Sequence, residues 1–342
     1  MSKLKLTLKP LALCLFTFIF ASLVQAGTLP NRTYVSAMSG SDANDCTRSS
    51  PCRYFQRAVN TVAAGGEVVA LDNGGYGAVG ISKAVTIEAP NGVYAGIEAS
   101  KGDAIFIKAA PSDTVVIRGL TLNGLGKAAN GINYTAGGVL HVESCVISGF
   151  GTGLNFAAPG QLLVLDTIAR NNGTGINVTT FSGFRPTINF ADPKQLALLR
   201  KMAQEYKAAG NNNAPSSGPA LASIDHCRLE ANFTGLYVAD NGIVTIRDSV
   251  AAGNSAFGLI VLAFSPAELT VENCLVTGSE FGISDALSAL IRLSNAVVTD
   301  NMYGVFSPSG FGAAFISFGN NKVNGNSGSD VSVNSFTVVP QI

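Results

Sequence analysis

The sequence predicts an all-β solenoid, a parallel β-helix with three short strands per coil. Two observations carry that expectation. A glycine followed by an aliphatic residue recurs at Gly131-Ile132, Gly153-Leu154, Gly175-Ile176, Gly235-Leu236, Gly258-Leu259, Gly282-Ile283 and Gly304-Val305. The glycine steps are 22, 22, 60, 23, 24 and 22 residues, and a period of that size marks one structural unit stacked on itself. A second string, aliphatic-x-aliphatic-x-x-small-x-aliphatic, runs ahead of the glycines at residues 140–147, 222–229, 244–251, 269–276 and 291–298. Period-two alternation marks half-buried strands. The two residues that interrupt it mark a corner. Ser144, Asp166, His226, Asp248, Asn273 and Asn295 hold the second corner position, and most of these types tolerate left-handed backbone. Each repeat therefore reads strand, corner, strand, glycine-bearing loop, strand, with coils stacked about 4.8 Å apart.

Composition agrees. The chain is 47% hydrophobic and 13% charged, with 38 glycines, which suits a long buried core with many tight corners. The formal net charge is zero, without the basic stripe that nucleic-acid binding needs.

Lys3, Lys5 and Lys9 precede an apolar run at 11–24, and Val24-Gln25-Ala26 offers a small-residue cleavage site. Residues 1–26 thus read as a secretion signal cleaved after Ala26. The apolar run is short for a bilayer span, so no stable membrane span is expected, and the mature protein is expected to be periplasmic or secreted.

The mature domain is 27–342, with an N-terminal cap at 27–66. Residues 27–45 read as an exposed start. Phe55, Ala58, Val59 and Val62 then have helical spacing, and a helix there would cover the open end of the core. Cys46 and Cys52 share a small loop of an exported chain, so a disulfide is expected. Cys145, Cys227 and Cys274 alternate in one column with Thr167 and Ser249. Alternate coils lie about 9.6 Å apart, beyond a disulfide's reach of about 7 Å. Three buried free thiols are therefore expected, and no metal site there.

The long glycine step exceeds a 22-residue coil by 38 residues, which places an insertion at 181–219. Asp192 suits an N-cap, Pro193 a first turn and Gly210 a stop. Leu198, Leu199, Met202 and Tyr206 form one stripe between them, so the insertion reads as an amphipathic helix outside the solenoid. The residues after the small column, Val146, Ile168, Arg228, Val250, Leu275 and Val297, point outward and are mostly apolar. Either the helix or a partner protein would cover that stripe.

The run YVSAMSGSDAND…PCRYFQRAVNTVAAGGEVVALDNGGYG, followed by coils such as LHVESCVISGF, resembles the secreted right-handed parallel β-helix repeat proteins of bacteria, which share the pectin-lyase-like fold. The resemblance implies a right-handed coil. It also implies that a polysaccharide would lie along the outer face of the strand after the glycine loop. The outward column there is Asn133, Asn155, Asn177, Tyr237, Ile260, Ser284 and Phe306. Amides bond hydroxyls and aromatics stack on sugar faces, so Asn133, Asn155, Asn177, Tyr237 and Phe306 are the candidate ligand contacts.

Chemistry is harder to place. Glycoside hydrolysis needs two carboxylates at about 5–9.5 Å, and this column holds none. No Asp/Glu cluster for a lyase's cation appears; calcium would enter only if the chain were a lyase. No other cofactor or metal is assigned. Glu230, Asp240, Glu280, Asp285 and Asp300 read as loop acids flanking the face, with Arg170 in an earlier loop. Glu230, Asp240, Glu280 and Asp300 are the acids to test should turnover be found. Phe257, Phe281 and Tyr303 read as an aromatic stack. Asp225, Arg247 and Glu272 read as a surface charge ladder, and His141 and His226 receive no catalytic role. The leading expectation is an exported protein that binds a polysaccharide or envelope glycan without catalysis. A polysaccharide lyase or hydrolase using the acids beside Tyr237 comes second, and a structural or adhesive surface protein third.

Overall fold

A computed structural model describes residues 29–180, 192–208, 218–308, 314–333 and 336–340. The chain forms the expected parallel β-solenoid, of about ten coils. Each full coil gives one strand to each of three sheets. Val139–Glu143, in the first sheet, lies between Thr114–Arg118 and Gly160–Leu165 of the flanking coils. Residues 146–148 and 152–156 then pair with Ile168–Arg170 in the second sheet and Thr174–Val178 in the third. Inward residues of all three sheets merge into one core running from Val35 to Phe315.

The glycine column is a space requirement. A Cβ built on Gly153, Gly175, Gly258 or Gly282 would lie 2.6 Å from the carbonyl oxygen of the next glycine in the column. No side chain fits there, and the aliphatic residue that follows turns inward. Ile132, Leu154, Ile176, Leu236, Leu259, Ile283 and Val305 stand in register and are buried. The corners are left-handed as expected, with φ of 52° at Ser144, 50° at Asp166, 51° at His226, 48° at Asp248 and 49° at Asn273 and Asn295.

A buried amide ladder lines the loop that precedes the third sheet. Asn172, Asn232, Asn254 and Asn301 are almost wholly buried. The Oδ1 of Asn232 accepts the backbone N–H of Asn172 at 3.0 Å and its Nδ2–H at 3.1 Å, and Asn254 serves Asn232 at the same two distances. Asn301 and Asn326 continue the pattern. Between the two runs the position is Ser279, whose backbone N–H bonds Asn301 but whose hydroxyl meets no partner among the described residues. Ser279→Asn is expected to join the runs and raise stability by about 1 kcal/mol, the usual net worth of a hydrogen bond. A lowered urea-unfolding midpoint would show that the loop has no room for the larger side chain.

The N-terminal cap is a helix, α1, at Phe55–Thr61, which buries Phe55, Ala58 and Val59 as the spacing predicted. Residues 27–45 differ from expectation. Arg32–Val35 is a strand that pairs with Gly66–Ala70 and opens the first sheet, and Thr33, Val35 and Ser36 are buried. Its alternation is too short to stand out beside the loop that follows. The Cys46–Cys52 disulfide is present, and Cys145, Cys227 and Cys274 are buried free thiols. The inserted helix, α2, spans Pro193–Ala208, with the Asp192 carboxylate accepting the Lys194 N–H at 2.9 Å as an N-cap does. Leu198 is exposed. Residues 1–26, Gly210 and most of the return at 211–217 lie outside the described residues. On the second sheet, Val146, Ile168, Val250 and Val297 are half-buried and Leu275 and Arg228 exposed.

Candidate functional site

The outward column of the third sheet is in the expected register. It begins one coil earlier than the glycine repeat reaches: Phe106 pairs with Asn133, then Asn155, Asn177, Tyr237, Ile260, Ser284 and Phe306 follow. Beside it runs a second column, Asp103, Asn130, Thr152 and Thr174, half-buried, and Thr234, buried. From Phe106 to Tyr237 is four coil steps, roughly 19 Å along the solenoid.

The face has two halves. In the first, Asn133, Asn155, Asn177 and Tyr237 are half-buried and Phe106 is 39% exposed. The amides are ordered by one another. Asn177 Nδ2 donates to Asn155 Oδ1 at 2.6 Å, Asn155 Nδ2 to Asn133 Oδ1 at 3.0 Å, and Asn133 Nδ2 to Asp103 Oδ2 at 2.8 Å. Asn130 Nδ2 donates to the other Asp103 oxygen at 2.7 Å. Each ladder amide spends one of its two N–H donors within the column, and the second meets no partner among the described residues.

The second half is closed. Ile260 and Ser284 point outward but are buried, within a hydrophobic cluster of Phe257, Ile260, Leu262, Phe281, Ala286 and Leu287. The expected stack forms, with Phe257–Phe281 and Phe281–Tyr303 ring centroids both 5.2 Å apart. Phe306 leans on Phe281 at 4.8 Å and Tyr303 at 5.2 Å. Phe306 is therefore part of a packed aromatic cluster, separated from the asparagines by Ile260 and Ser284.

The loop acids do not converge. Glu230 ends the strand Arg228–Glu230 and is ion-paired to Arg228. Asp240 is buried beyond the other end of the third-sheet strand Thr234–Val238, and its Oδ1 accepts the Ser265 N–H at 2.8 Å. That strand alone spans about 13 Å, more than the carboxylate separation of a glycosidase. Glu280 is half-buried and Asp300 exposed, in turns one coil apart.

Asp285 corrects the sequence reading. It lies within the strand Phe281–Ser294 rather than in a loop. It faces inward, in register with Val261, Val238 and Val178, and is fully buried. Burial pushes its carboxyl up to about 7, opposed only weakly by Ser307 one coil on and its own backbone N–H. Neither carboxylate oxygen meets a hydrogen-bond partner among the described residues. The reading failed because this strand runs from the third sheet into the first without the usual punctuation.

On the first sheet, Arg247 donates to Asp225 Oδ2 through Nε at 2.8 Å and Nη2 at 2.6 Å, which holds the Asp225 carboxyl below its ordinary range. Asp225, His226 and Asp248 offer ligand atoms within 4.8 Å of one another. The Arg247 guanidinium already pairs with Asp225, and His226 Nδ1 sits 2.8 Å from Asp225 Oδ1. Asp225, Arg247 and Glu272 stand in register on adjacent coils, the charge ladder read from sequence.

No family model matches the chain, and no curated protein matches its sequence. Solved structures do match by shape. A pectate lyase, Pel9A, is 15% identical over 92% of this chain and 79% of its own, with a TM-score of 0.50. XylC, solved in complex with xylose, is 8% identical over 89% of this chain and 68% of its own, with a TM-score of 0.56. The A-module of the mannuronan C-5 epimerase AlgE4 from Azotobacter vinelandii is 11% identical over 80% of this chain and 87% of its own, with a TM-score of 0.47. At such identities the likeness is one of fold. The chain has the pectin-lyase-like β-helix fold.

Proposed function

We propose that the chain is an exported carbohydrate-binding protein whose contact surface is the open half of the third sheet. The observation that carries this is the column Phe106, Asn133, Asn155, Asn177, Tyr237. Phe106 at one end and Tyr237, which packs against the apolar cluster of the closed half, at the other flank three amides on a rigid sheet, each with a second donor that meets no partner among the described residues. A sugar chain offers hydroxyls for the amides and apolar ring faces for the aromatics. Rigid positioning lowers the ordering cost of such contacts. The Cys46–Cys52 disulfide supports an oxidising compartment. That one solved neighbour is named a pectate lyase and another was solved with xylose supports a carbohydrate role.

Binding without turnover is favoured because the candidate acids are engaged or apart. Glu230 is ion-paired, Asp240 holds a backbone N–H, and a full strand lies between them. The test measures retention on a panel of polysaccharides, with product followed as new reducing ends and as unsaturated-uronate absorbance, with and without calcium. Saturable binding without product is expected. Asn155→Ala and Phe106→Ala should each weaken it by about tenfold, the equivalent of 1.4 kcal/mol. Product on any polymer would replace this reading with an enzyme and send mutagenesis to Glu230, Asp240, Glu280 and Asp300.

A further inference from the structure

We infer that the glycan this face takes is uncharged rather than a polyuronate; the inference rests on the binding surface proposed above. A polyuronate carries a carboxylate on every sugar. Recognising it in register with the coils requires a guanidinium, an ammonium or a bridging cation at nearly every step. The two outward columns supply none through their central coils. Asn130, Thr152 and Thr174 fill one, with Thr234 in register but buried, and Asn133, Asn155, Asn177 and Tyr237 the other. These are hydroxyl and amide groups that bond neutral hydroxyls in either direction.

The one charged residue within the two columns, Asp103, has the wrong sign for a uronate, while Lys101 and Lys127 are exposed outside them, two residues before Asp103 and three before Asn130. Asp103 heads the ladder and is fixed there by two amides, at 2.7 and 2.8 Å. A sugar carboxylate entering that coil would meet it at close range, and like charges at an interface act as negative selection. Lys108 ends the same strand, Asp103–Lys108, five residues on, about 16 Å from Asp103. It could balance one sugar carboxylate at the edge of the face, not a row of them. Arg170 lies on the second sheet in register with Glu230, outside the columns.

The experiment is calorimetric titration of the mature protein and its Asn155→Ala variant. The probes are neutral hexasaccharides (xylo-, cello- and mannohexaose) and hexauronates of galacturonate and mannuronate, the latter with and without calcium. A neutral hexasaccharide should bind at least about tenfold more tightly than either hexauronate, because like-charge juxtaposition disfavours the latter. That binding should be insensitive to added salt and should be weakened by Asn155→Ala. A hexauronate that binds more tightly, and whose binding depends on Asn155, would overturn the inference while leaving the surface in place. Absence of any binding, or binding that Asn155→Ala leaves unchanged, would overturn the surface and the inference with it.

Discussion

An Asp285→Asn variant is expected to be more stable than the parent above neutral pH, with the gap closing as pH falls. The inward column that contains Asp285 has Val178, Val238 and Val261 stacked on one side and the buried Ser307 on the other. An ionised carboxylate there has lost its water and gained no opposite charge, only the weak help of Ser307 and its own backbone N–H, a costly state that proteins avoid by holding the proton. No charged group acts on it; burial alone drives the shift from 3.8 to about 7. The native value lies above the unfolded one, so the native state binds its proton more tightly. Its contribution is fully present below about pH 3.8 and is lost as pH rises through 7. At 1.36 kcal/mol per pH unit the full loss is about 4 kcal/mol. Asparagine has the same shape and no titration, so its advantage should grow between about pH 4 and about pH 8, then level off. Urea-unfolding midpoints of the two proteins across that range measure it. A gap independent of pH would mean that water reaches the carboxylate. Asp285→Val, which continues the valine column, should be more stable still.

The regular part of this molecule was legible because its constraints are local and repeated. No Cβ fits at the glycine column, left-handed backbone favours Asp, Asn and Ser at the corners, and small residues fill the Cys145–Thr167–Cys227–Ser249–Cys274 column. Each leaves the same mark at each coil. The candidate site was legible for the same reason, since alternation from the glycine places Asn133, Asn155, Asn177 and Tyr237 on one outer face. What escaped lies where the rhythm changes. Phe106 follows Ala104-Ile105, with no glycine to flag its coil. Ile260 and Ser284 sit on an outer face by count but under apolar neighbours in fact, and alternation cannot report what covers a face. Asp285 follows directly after Ser284 in a strand whose corner is absent. The inner ladder also left a usable mark in the sequence: Asn172, Asn232 and Asn301 each stand three residues before a column glycine. Those glycines make room for the amides, since a Cβ on Gly175 would lie 3.1 Å from Asn232 Nδ2.

The chain thus holds two asparagine ladders, and they should respond oppositely to mutation. Asn232→Ala is expected to destabilise the fold by roughly 3–5 kcal/mol. Its side chain makes four buried hydrogen bonds: it accepts from the Asn172 backbone N–H and Nδ2–H, and donates to the Ala169 carbonyl at 3.0 Å and to Asn254 Oδ1 at 3.1 Å. Alanine leaves the buried Asn172 N–H without its acceptor, at about 1–3 kcal/mol, removes the other three bonds, and leaves a cavity besides. Asn155→Ala removes two hydrogen bonds from a half-buried position where water can replace them, so its cost should stay within about 1 kcal/mol. The urea midpoints of the two variants decide this directly. A large loss in Asn232→Ala with little loss in Asn155→Ala separates an amide ladder that holds the coils together from one that is free to meet a ligand. If Asn155→Ala unfolds as readily, the outer ladder is structural too, and the amides of the open face have been spent on the fold rather than kept for a sugar.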